Sequence, residues 1–494
     1  MIATAVMQLR AATFFRGLRW RRSLAAIATF GGVALASSDA SASGYLTARF
    51  GTDHGTPATP NTFAIYYNPA ALGATRGTTL TGDVSVLLRW AHYQRTEEGL
   101  SPSDPNSKQD PQYVAANTGH ANLLNLLALP FVGVNTDFGT KRFRAGYAFY
   151  IPYGGLATWD RRSGVAGVPG STDGIQRWHS ISGQILAIHN TVAGAINLGH
   201  GWSVGANVSG IIHNVSTVRA RNADGSDDSV SNGNLIEGRS LLEASGFNLG
   251  IAGGVYWEAI PEKLQLGLSV TSRPGVYGET KMSGDLSTQI AATEPNKKSV
   301  DFYQTYPEVI RLGAAVKLSE KWDLRSDFEY VRWSNFDRQC VVPKGEKCNV
   351  ASDGRDLSGG KVILNIPRNW QDAIGIRVGP GVQIDDHLEL FGSAAMTTPA
   401  VPKSTIDAVT IDSLRLYGTL GAKYTFNRSF ALAGSYNHIY FFNVKTNGKN
   451  DQDISAHPSN QPGGGDYNAS RSPSADGQYK SQIGFINVNA AYTF

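Results

Sequence analysis

Ser203 lies in the sequence "GWSVG" (201–205), which has the G-x-S-x-G spacing of a hydrolase nucleophile elbow. That motif needs a strand, a sharp turn and a helix, because strain at the turn exposes the serine hydroxyl. Here Ser203 opens a stretch of alternating apolar and polar residues, which predicts a strand. We therefore expect no catalytic residue and no enzymatic activity. A lipid hydrolase stays open as an alternative, because a serine and a histidine on neighbouring strands can meet without a sequence signature.

Other residues that could take part in chemistry are few. The chain contains neither the H-E-x-x-H pattern of zinc hydrolases nor the G-x-x-x-x-G-K-[ST] pattern of phosphate-binding loops. His189, His213 and His438 lie in stretches that predict strands, where we expect them to face a lumen or an interface. We expect no metal site and no cofactor.

The two cysteines, Cys340 and Cys348, lie together in the polar loop "DRQCVVPKGEKCNV". In an oxidising compartment two cysteines at this spacing can close a small disulfide. A metal site is the alternative, but it would need more ligands than this loop offers. The loop therefore predicts a Cys340–Cys348 disulfide.

Residues 1–42 have the three parts of an export signal. The sequence "RGLRWRR" is basic, "SLAAIATFGGVALA" is an apolar core, and Ala40, Ser41 and Ala42 form an A-x-A cleavage site. A membrane-anchoring helix is the alternative, but the apolar run is shorter than the roughly 20 residues that span a bilayer. We expect cleavage after Ala42.

After residue 42 the chain carries equal numbers of basic and acidic residues. A neutral chain lacks the basic patch that nucleic-acid binding requires, so we expect no nucleic-acid partner. It also lacks an apolar run of about 18 residues, which excludes a membrane-spanning helix after the signal. The composition, with 55 Gly, 10% aromatic and 17% charged residues, favours a β-barrel over a soluble exported protein.

Hydrophobic residues repeat with period two, as β-strands require. In "WDLRSDFEY" (322–330) a charged face that contains Asp323, Arg325 and Asp327 opposes an apolar face that contains Trp322 and Leu324. A soluble sandwich also alternates, but its apolar face points inward, whereas a membrane barrel turns that face to lipid. Alternating runs here extend over about ten residues, the length of a tilted membrane strand.

The lengths of the connections and the C-terminal strand also indicate a membrane β-barrel. Short turns at 139–142, 199–202, 319–322 and 427–429 alternate with long polar segments at 95–122, 154–180, 221–243, 285–302, 336–361 and 445–479. Short periplasmic turns and long external loops are typical of outer-membrane barrels, and the count gives about fourteen strands. The last strand, "IGFINVNAAYTF", ends on Phe494 and resembles the signal that the barrel assembly machinery reads.

Several segments of this chain together resemble the FadL family of outer-membrane transporters for long-chain fatty acids and hydrocarbons. The resemblance rests on "SGYLTARFGTDHGTPATPNTFAIYYNPAALG" at the mature N-terminus, on "PFVGVNTDFGTKRFRAGYAFYIPYGG", on "YPEVIRLGAAVKLSEKWDLRSDFEYVRWSNF" and on "LNIPRNWQDAIGIRVG". It implies an all-β transmembrane antiparallel barrel of about 14 strands with an N-terminal hatch inside the lumen. The implied domains are a signal peptide (1–42), a hatch (43–78) and a barrel with long external loops (79–494).

The resemblance also implies roles for residues of the hatch. Asn68, Pro69 and Ala70 match the family's Asn-Pro-Ala element, which sits against the barrel wall and responds to ligand. Pro69 removes a backbone donor and disfavours helix at Asn68, so these two residues predict a stiff turn. The matched mature N-terminus, Ser43, Gly44 and Tyr45, is expected to reach the ligand pocket. A plug without a gating role is the alternative.

Pro152, followed by Gly154 and Gly155, lies in the third predicted strand. A proline cannot donate to a strand ladder, and a closed barrel has no edge strand to hold it. We therefore expect a kink or lost pairing near Pro152, and the resemblance places the family's lateral opening at its third strand. Alternatively, Pro152 only begins the external loop.

These observations predict passive uptake of hydrophobic compounds across the bacterial outer membrane. The expected partners are a long-chain fatty acid or hydrocarbon, outer-membrane lipid and the assembly machinery. An open, water-filled porin is a further alternative, which the extra N-terminal segment disfavours.

Overall fold

The structure is a computed structural model that describes residues 49–222, 224–290, 293–450 and 466–494. The predicted signal peptide, residues 1–42, lies outside the described residues, as do Ser43, Gly44 and Tyr45.

The described residues form twenty β-strands. The first ten are β1 (Thr78–Arg95), β2 (Gly119–Thr136), β3 (Phe143–Thr158), β4 (Ser182–Gly199), β5 (Trp202–Arg221), β6 (Val230–Ser231), β7 (Asn234–Leu235), β8 (Gly238–Ile260), β9 (Leu264–Thr271) and β10 (Thr280–Ile290). The others are β11 (Asn296–Gln304), β12 (Val309–Lys317), β13 (Trp322–Val331), β14 (Arg338–Pro343), β15 (Leu364–Pro367), β16 (Ala373–Gln383), β17 (Leu388–Thr397), β18 (Arg415–Thr425), β19 (Phe430–Lys445) and β20 (Gly477–Thr493).

Fourteen of these strands close into an antiparallel barrel, which confirms the predicted fold class. The ring runs in the order β1, β2, β3, β4, β5, β8, β9, β12, β13, β16, β17, β18, β19 and β20. β20 then pairs with β1 from Thr79↔Thr493 to Arg95↔Gly477 and closes the ring. Closure matters because an open sheet edge would leave backbone N–H and C=O groups unpaired in lipid.

Four further strands form a sheet beyond the barrel wall, where the sequence analysis expected loops. The upper part of β8 pairs with β10 from Ser283↔Ser245 to Ile290↔Gly238, and β11, β14 and β15 follow in order. The segment 285–302, predicted as a long external loop, instead contains parts of β10 and β11, and the segment 336–361 contains β14. β8 is 23 residues long, longer than a membrane strand needs, and its upper end offers an edge on which these strands pair. Cys340 and Cys348 are joined by a disulfide at this sheet.

Helical structure is short. The α-helices of the described residues are Ala64–Tyr67 and Pro111–Asn117, and their 3₁₀ helices are Thr52–His54, Pro69–Ala74, Glu97–Gly99, Pro105–Gln109, Pro169–Asp173, Trp333–Asn335 and Asn468–Ser470. Among the described residues, no helix has the length and apolar character needed to cross a membrane.

The strands turn their apolar face outward. In β1 the exposed Val84, Val86 and Leu88 alternate with the buried Ser85 and Leu87. Near the short turns the outer face carries exposed aromatic side chains, namely Phe138, Trp202, Trp322, Tyr424, Phe426 and Phe494. An outward apolar band bounded by aromatic residues is the arrangement of a barrel that spans a membrane.

We expect Val86→Arg to destabilise the barrel by about 2–4 kcal/mol, because Val86 lies near the middle of the outward apolar run of β1. Gln94→Arg on the same face, beyond Trp90, is the matched control and should cost about 0–1 kcal/mol. Equilibrium unfolding in lipid vesicles measures both. Equal losses at the two positions would contradict the assigned depth of β1.

Candidate functional site

Residues 49–77, here called the N-terminal segment, lie inside the ring of strands. The partners of the segment come from strands on all sides of the barrel. Asn135 on β2 accepts from Thr62, Asn207 on β5 donates to Ile65 O, and Ser269 on β9 donates to Tyr67 O. The side chains of Phe63–Tyr67 and Asn68 are buried.

Two ion pairs and one histidine–carboxylate hydrogen bond hold the start of the segment to the opposite wall, and all three charged partners on the barrel face inward. Arg49 Nη2 lies 2.7 Å from Asp327 Oδ1 on β13, and Asp53 Oδ1 lies 2.7 Å from Arg377 Nη1 on β16. His54 Nε2 lies 3.1 Å from Glu389 Oε1 on β17. Buried pairs of this kind fix orientation more than they add stability.

Asn68 is fully buried and connects the short helix to the next turn. Its Oδ1 accepts from Ala70 N at 3.1 Å, which caps the 3₁₀ helix that begins at Pro69. Its Nδ2 donates to Pro57 O at 2.8 Å and to Val255 O of β8 at 3.0 Å. Asn68 therefore joins two parts of the segment to the barrel backbone.

Glycines on the inner wall allow this close approach. Gly205 pairs with Gly254 across β5 and β8, and Gly267 pairs with Gly313 across β9 and β12. A Cβ on Gly254 would lie 2.1 Å from Asn68 Oδ1, and a Cβ on Gly267 would lie 2.0 Å from the Pro57 carbonyl oxygen. Any larger side chain here would push the segment from the wall.

The ladder between β2 and β3 is incomplete. It runs only from Thr136↔Ala145 to Phe131↔Tyr150, and the pairing of β3 with β4 shifts register between Tyr150 and Tyr153. Pro152 lies within that shift. Above it residues 152–157 are buried in succession, without the alternation of a wall strand. This interruption, here called the β2–β3 gap, ends where Asn125 on β2 exchanges two hydrogen bonds with the Thr158 backbone.

A cavity of about 100 Å³ lies behind the β2–β3 gap. Gly155, Leu156 and Ala157, which pair with β4 but not with β2, form one side. Most of the lining surface is apolar, although about half of the other lining residues are polar; the apolar side chains include Ile185, Val215, Leu242, Leu286, Phe302, Val341, Leu364 and Trp370. An apolar lining with a few polar groups is typical of small-molecule sites.

Two arginines in the lining differ in their partners. Arg368 pairs with Asp407 at 2.8 Å, and its Nε and Nη2 donate to Gln339 Oε1. The Arg219 guanidinium, by contrast, makes no hydrogen bond or ion pair with any described residue. Burial lowers the pKa of His179, on the loop before β4, to about 4, so this imidazole is neutral. Within the described parts of the chain, Arg219 is therefore the cationic lining residue whose N–H donors have no hydrogen-bond acceptor.

Aromatic rings connect the N-terminal segment to the region behind the gap. Tyr66 contacts Tyr150 at 5.2 Å between ring centroids, and Tyr150 stacks on His189 at 5.2 Å. Tyr153 contacts His189 at 6.1 Å and Tyr306 at 5.2 Å. The tyrosines on either side of Pro152 thus link the bend to the segment.

The structure brings some of the sequence candidates together and separates others. Pro152, Gly154 and Gly155 lie at the gap, whereas Asn68 and Pro69 lie against the glycine wall. Ser203 is buried within β5 and faces Gly73 of the N-terminal segment, so no strand–turn–helix surrounds it. His189 and His213 face inward, and His438 lies on the outer side of β19.

Sequence reasoning missed Arg219 and His179 as lining residues, and it had no pattern with which to find them. Their signal is three-dimensional, because it depends on the register of β5 and on the path of the loop before β4.

Comparison with known proteins gives one curated relative and several solved structures. Over 216 residues the chain is 24% identical to the Neisseria meningitidis serogroup B protein NMB0088, and the match spans 41% of this chain and 44% of that protein. The chain therefore covers less than half the length of this relative.

Among solved structures, a Pseudomonas aeruginosa FadL homologue has a TM-score of 0.67 at 16% identity and covers 93% of this chain and 99% of its own. The Pseudomonas putida toluene transporter TodX has a TM-score of 0.61 at 13% identity and covers 92% and 99%. The Ralstonia pickettii toluene transporter TbuX has a TM-score of 0.58 at 13% identity and covers 91% and 98%. At these identities the likeness concerns the fold.

A family model described as outer membrane protein transport protein (OMPP1/FadL/TodX) matches residues 23–494. The match spans almost the whole chain and agrees with the resemblance found in the sequence. The chain belongs to the OMPP1/FadL/TodX family of outer-membrane transport proteins.

Proposed function

We propose that this protein passively takes up long-chain fatty acids and related hydrophobic compounds across the outer membrane. The observation that carries the proposal is the contact between the apolar cavity and the β2–β3 gap, which share Gly155, Leu156 and Ala157. The substrate is captured at the outer loops, enters the cavity, and leaves sideways into the membrane through the gap.

Sideways release is favourable for a hydrophobic substrate. Apolar surface gains roughly 25 cal/mol per Å² when it leaves water, so an acyl chain loses this gain if it is delivered to the periplasm. A route through the wall keeps the chain among apolar groups throughout. It needs no energy source, since differences in binding and concentration drive the flow.

The N-terminal segment is proposed to act as the hatch. It occupies the lumen below the cavity and is held by ion pairs, by Asn68 and by the glycine wall. A hatch of this kind distinguishes the proposal from an open porin. By resemblance, Ser43, Gly44 and Tyr45 would extend the segment toward the ligand, and Phe494 would serve as the assembly signal.

Arg219 favours a substrate with a carboxylate. A guanidinium without a partner in an apolar cavity is costly, and a carboxylate would satisfy several of its donors at once. The acyl chain would then lie along the apolar lining toward Leu156. Small aromatic hydrocarbons are a second candidate, because they need only apolar contacts and make no demand on Arg219.

Uptake of labelled oleate or toluene, in cells with and without the protein, tests the proposal as a whole. We expect uptake to require the protein. Equal uptake in both strains, with the protein correctly inserted, would show that the function is not transport of these compounds. Turnover of a fluorescent ester by purified protein, lost in Ser203→Ala, would instead support the lipid hydrolase.

Cross-linking the β2–β3 gap should block uptake. In Leu129→Cys/Gly154→Cys the new thiols face each other, because a Cβ on Gly154 would lie 3.5 Å from Leu129 Cδ2. The two natural cysteines are bonded and do not compete. A short bismaleimide should reduce uptake to the level of cells without the protein, while each single-cysteine variant stays active. Full uptake after complete cross-linking would exclude release through this gap.

Arg219→Gln should weaken the binding of fatty acids without changing the binding of hydrocarbons. Loss of a charged hydrogen bond costs about 1.5–3 kcal/mol, so oleate should bind about 10- to 150-fold more weakly. Toluene binding to the purified protein should stay unchanged. Arg221→Gln is the matched control, because Arg221 lies on the same face but donates to Ile363 O. An equal effect on both ligands would contradict carboxylate recognition.

Asn68→Ala should loosen the N-terminal segment without preventing barrel assembly. The change leaves the buried Pro57 and Val255 carbonyls without their donor, at a local cost of about 1–3 kcal/mol. We expect faster hydrogen exchange in residues 64–74 and reduced oleate uptake. Asn234→Ala, on an exposed outer hairpin, is the control. Faster exchange with normal uptake would show that the segment is a plug without a gating role.

A further inference from the structure

Two histidines lie side by side on the outer face of the barrel, away from the lumen and the cavity. His92 on β1 and His120 on β2 have ring centroids 5.1 Å apart, and His120 Nδ1 lies 3.2 Å from His92 Nε2. His92 follows the end of the outward apolar run of β1, beyond Trp90, and His120, at the start of β2, pairs with Gln94 of β1. They therefore stand at the outer rim, where dissolved ions can reach them.

The tautomer of His92 is fixed by its neighbour. Its Nδ1 lies 2.8 Å from Asn122 Oδ1, an oxygen that can only accept a hydrogen bond. His92 Nδ1 therefore carries the proton, and Nε2 presents its lone pair toward His120. Histidines that bind metals usually donate their second N–H to an oxygen in this way, which orients the ring.

We propose that His92 Nε2 and His120 Nδ1 bind one divalent transition-metal ion, with Zn²⁺ as the reference ion. At Zn–N distances of about 2.0–2.1 Å, nitrogens 3.2 Å apart subtend an angle of roughly 100–105°, close to tetrahedral. Without metal, His120 Nδ1 donates to His92 Nε2. On binding, His120 carries its proton on Nε2 instead, and the net protonation of the pair is unchanged.

The remaining coordination positions belong to water. No group of three or more His, Cys, Asp or Glu side chains is arranged to hold a metal in the described part of the chain, so this site has two protein ligands. Imidazole nitrogens select Zn²⁺, Cu²⁺ and Ni²⁺ over Mg²⁺ and Ca²⁺. Lys480 lies opposite His92 on β20, and its positive charge weakens cation binding. Asp160 lies close to the pair, because its backbone N–H donates to Asn122 O, and its carboxylate favours a cation.

A bound ion would tie β2 to β1 where β2 lacks its other neighbour. Residues 119–130 of β2 pair with β1 but not with β3, so this stretch has one strand partner only. The ion would therefore stiffen the side of the wall that borders the β2–β3 gap.

Zn²⁺ titration of the full mature protein, purified without a histidine tag and stripped with a chelator, tests the proposal. We expect one Zn²⁺ per barrel, with affinity at least about tenfold lower in His92→Gln, His120→Gln and Asn122→Ala. His438→Gln, a single histidine on the outer side of β19, should bind like the unmodified protein. Unchanged Zn²⁺ binding in His92→Gln/His120→Gln would overturn the proposal.

Electron paramagnetic resonance of bound Cu²⁺ tests the same site without relying on a variant. Two imidazole nitrogens should couple to the copper in the unmodified protein, and one in His120→Gln. A spectrum with a single nitrogen in the unmodified protein would overturn the paired site. Neither measurement depends on the substrate, so failure here leaves the transport proposal intact.

Discussion

Pairing of every backbone N–H and C=O group within the hydrocarbon layer is the constraint on which this structure depends. Lipid offers no hydrogen bonds, so the fourteen wall strands must close on themselves, as β20 does on β1. Period-two alternation follows, because each strand then has a lipid face and a lumen face. Outside the membrane the constraint relaxes, and the long strand β8 continues as the edge of an outer sheet.

The wall departs from this constraint at β3, and the surroundings compensate for the departure. Pro152 has no N–H to leave unpaired, and residues 152–157 are covered by protein instead of facing lipid. The side chain of Asn125 on β2 makes two hydrogen bonds to the Thr158 backbone of β3, which replace part of the missing β2–β3 backbone pairing. Irregular backbone at membrane depth is tolerated where protein covers it or where it borders a cavity, and here both conditions hold.

The barrel could be predicted from the sequence because alternation, strand length and turn length are local properties. The Asn68–Pro69 turn could be predicted for the same reason, since proline acts on its immediate neighbour. The outer strands β10, β11 and β14 could not, because their residues are polar and their pairing depends on the distant edge of β8. The cavity could not be predicted from the sequence either. Arg219 is one of many alternating residues of β5, and strand register and loop packing decide that it faces an apolar space.

The N-terminal segment contacts β3 at the lower end of the β2–β3 gap, and this contact would give the proposed gate a mechanical basis. Tyr66 packs against Tyr150, two residues before Pro152, and Asn68, two residues after Tyr66, is bonded to β8. A shift of the β3 bend therefore acts on a segment whose other end is anchored to the opposite wall. A ligand can move this equilibrium only by binding one arrangement better than the other. Leu156 and Ala157 belong to both the β3 bend and the cavity lining, so a ligand in the cavity would contact the bend directly.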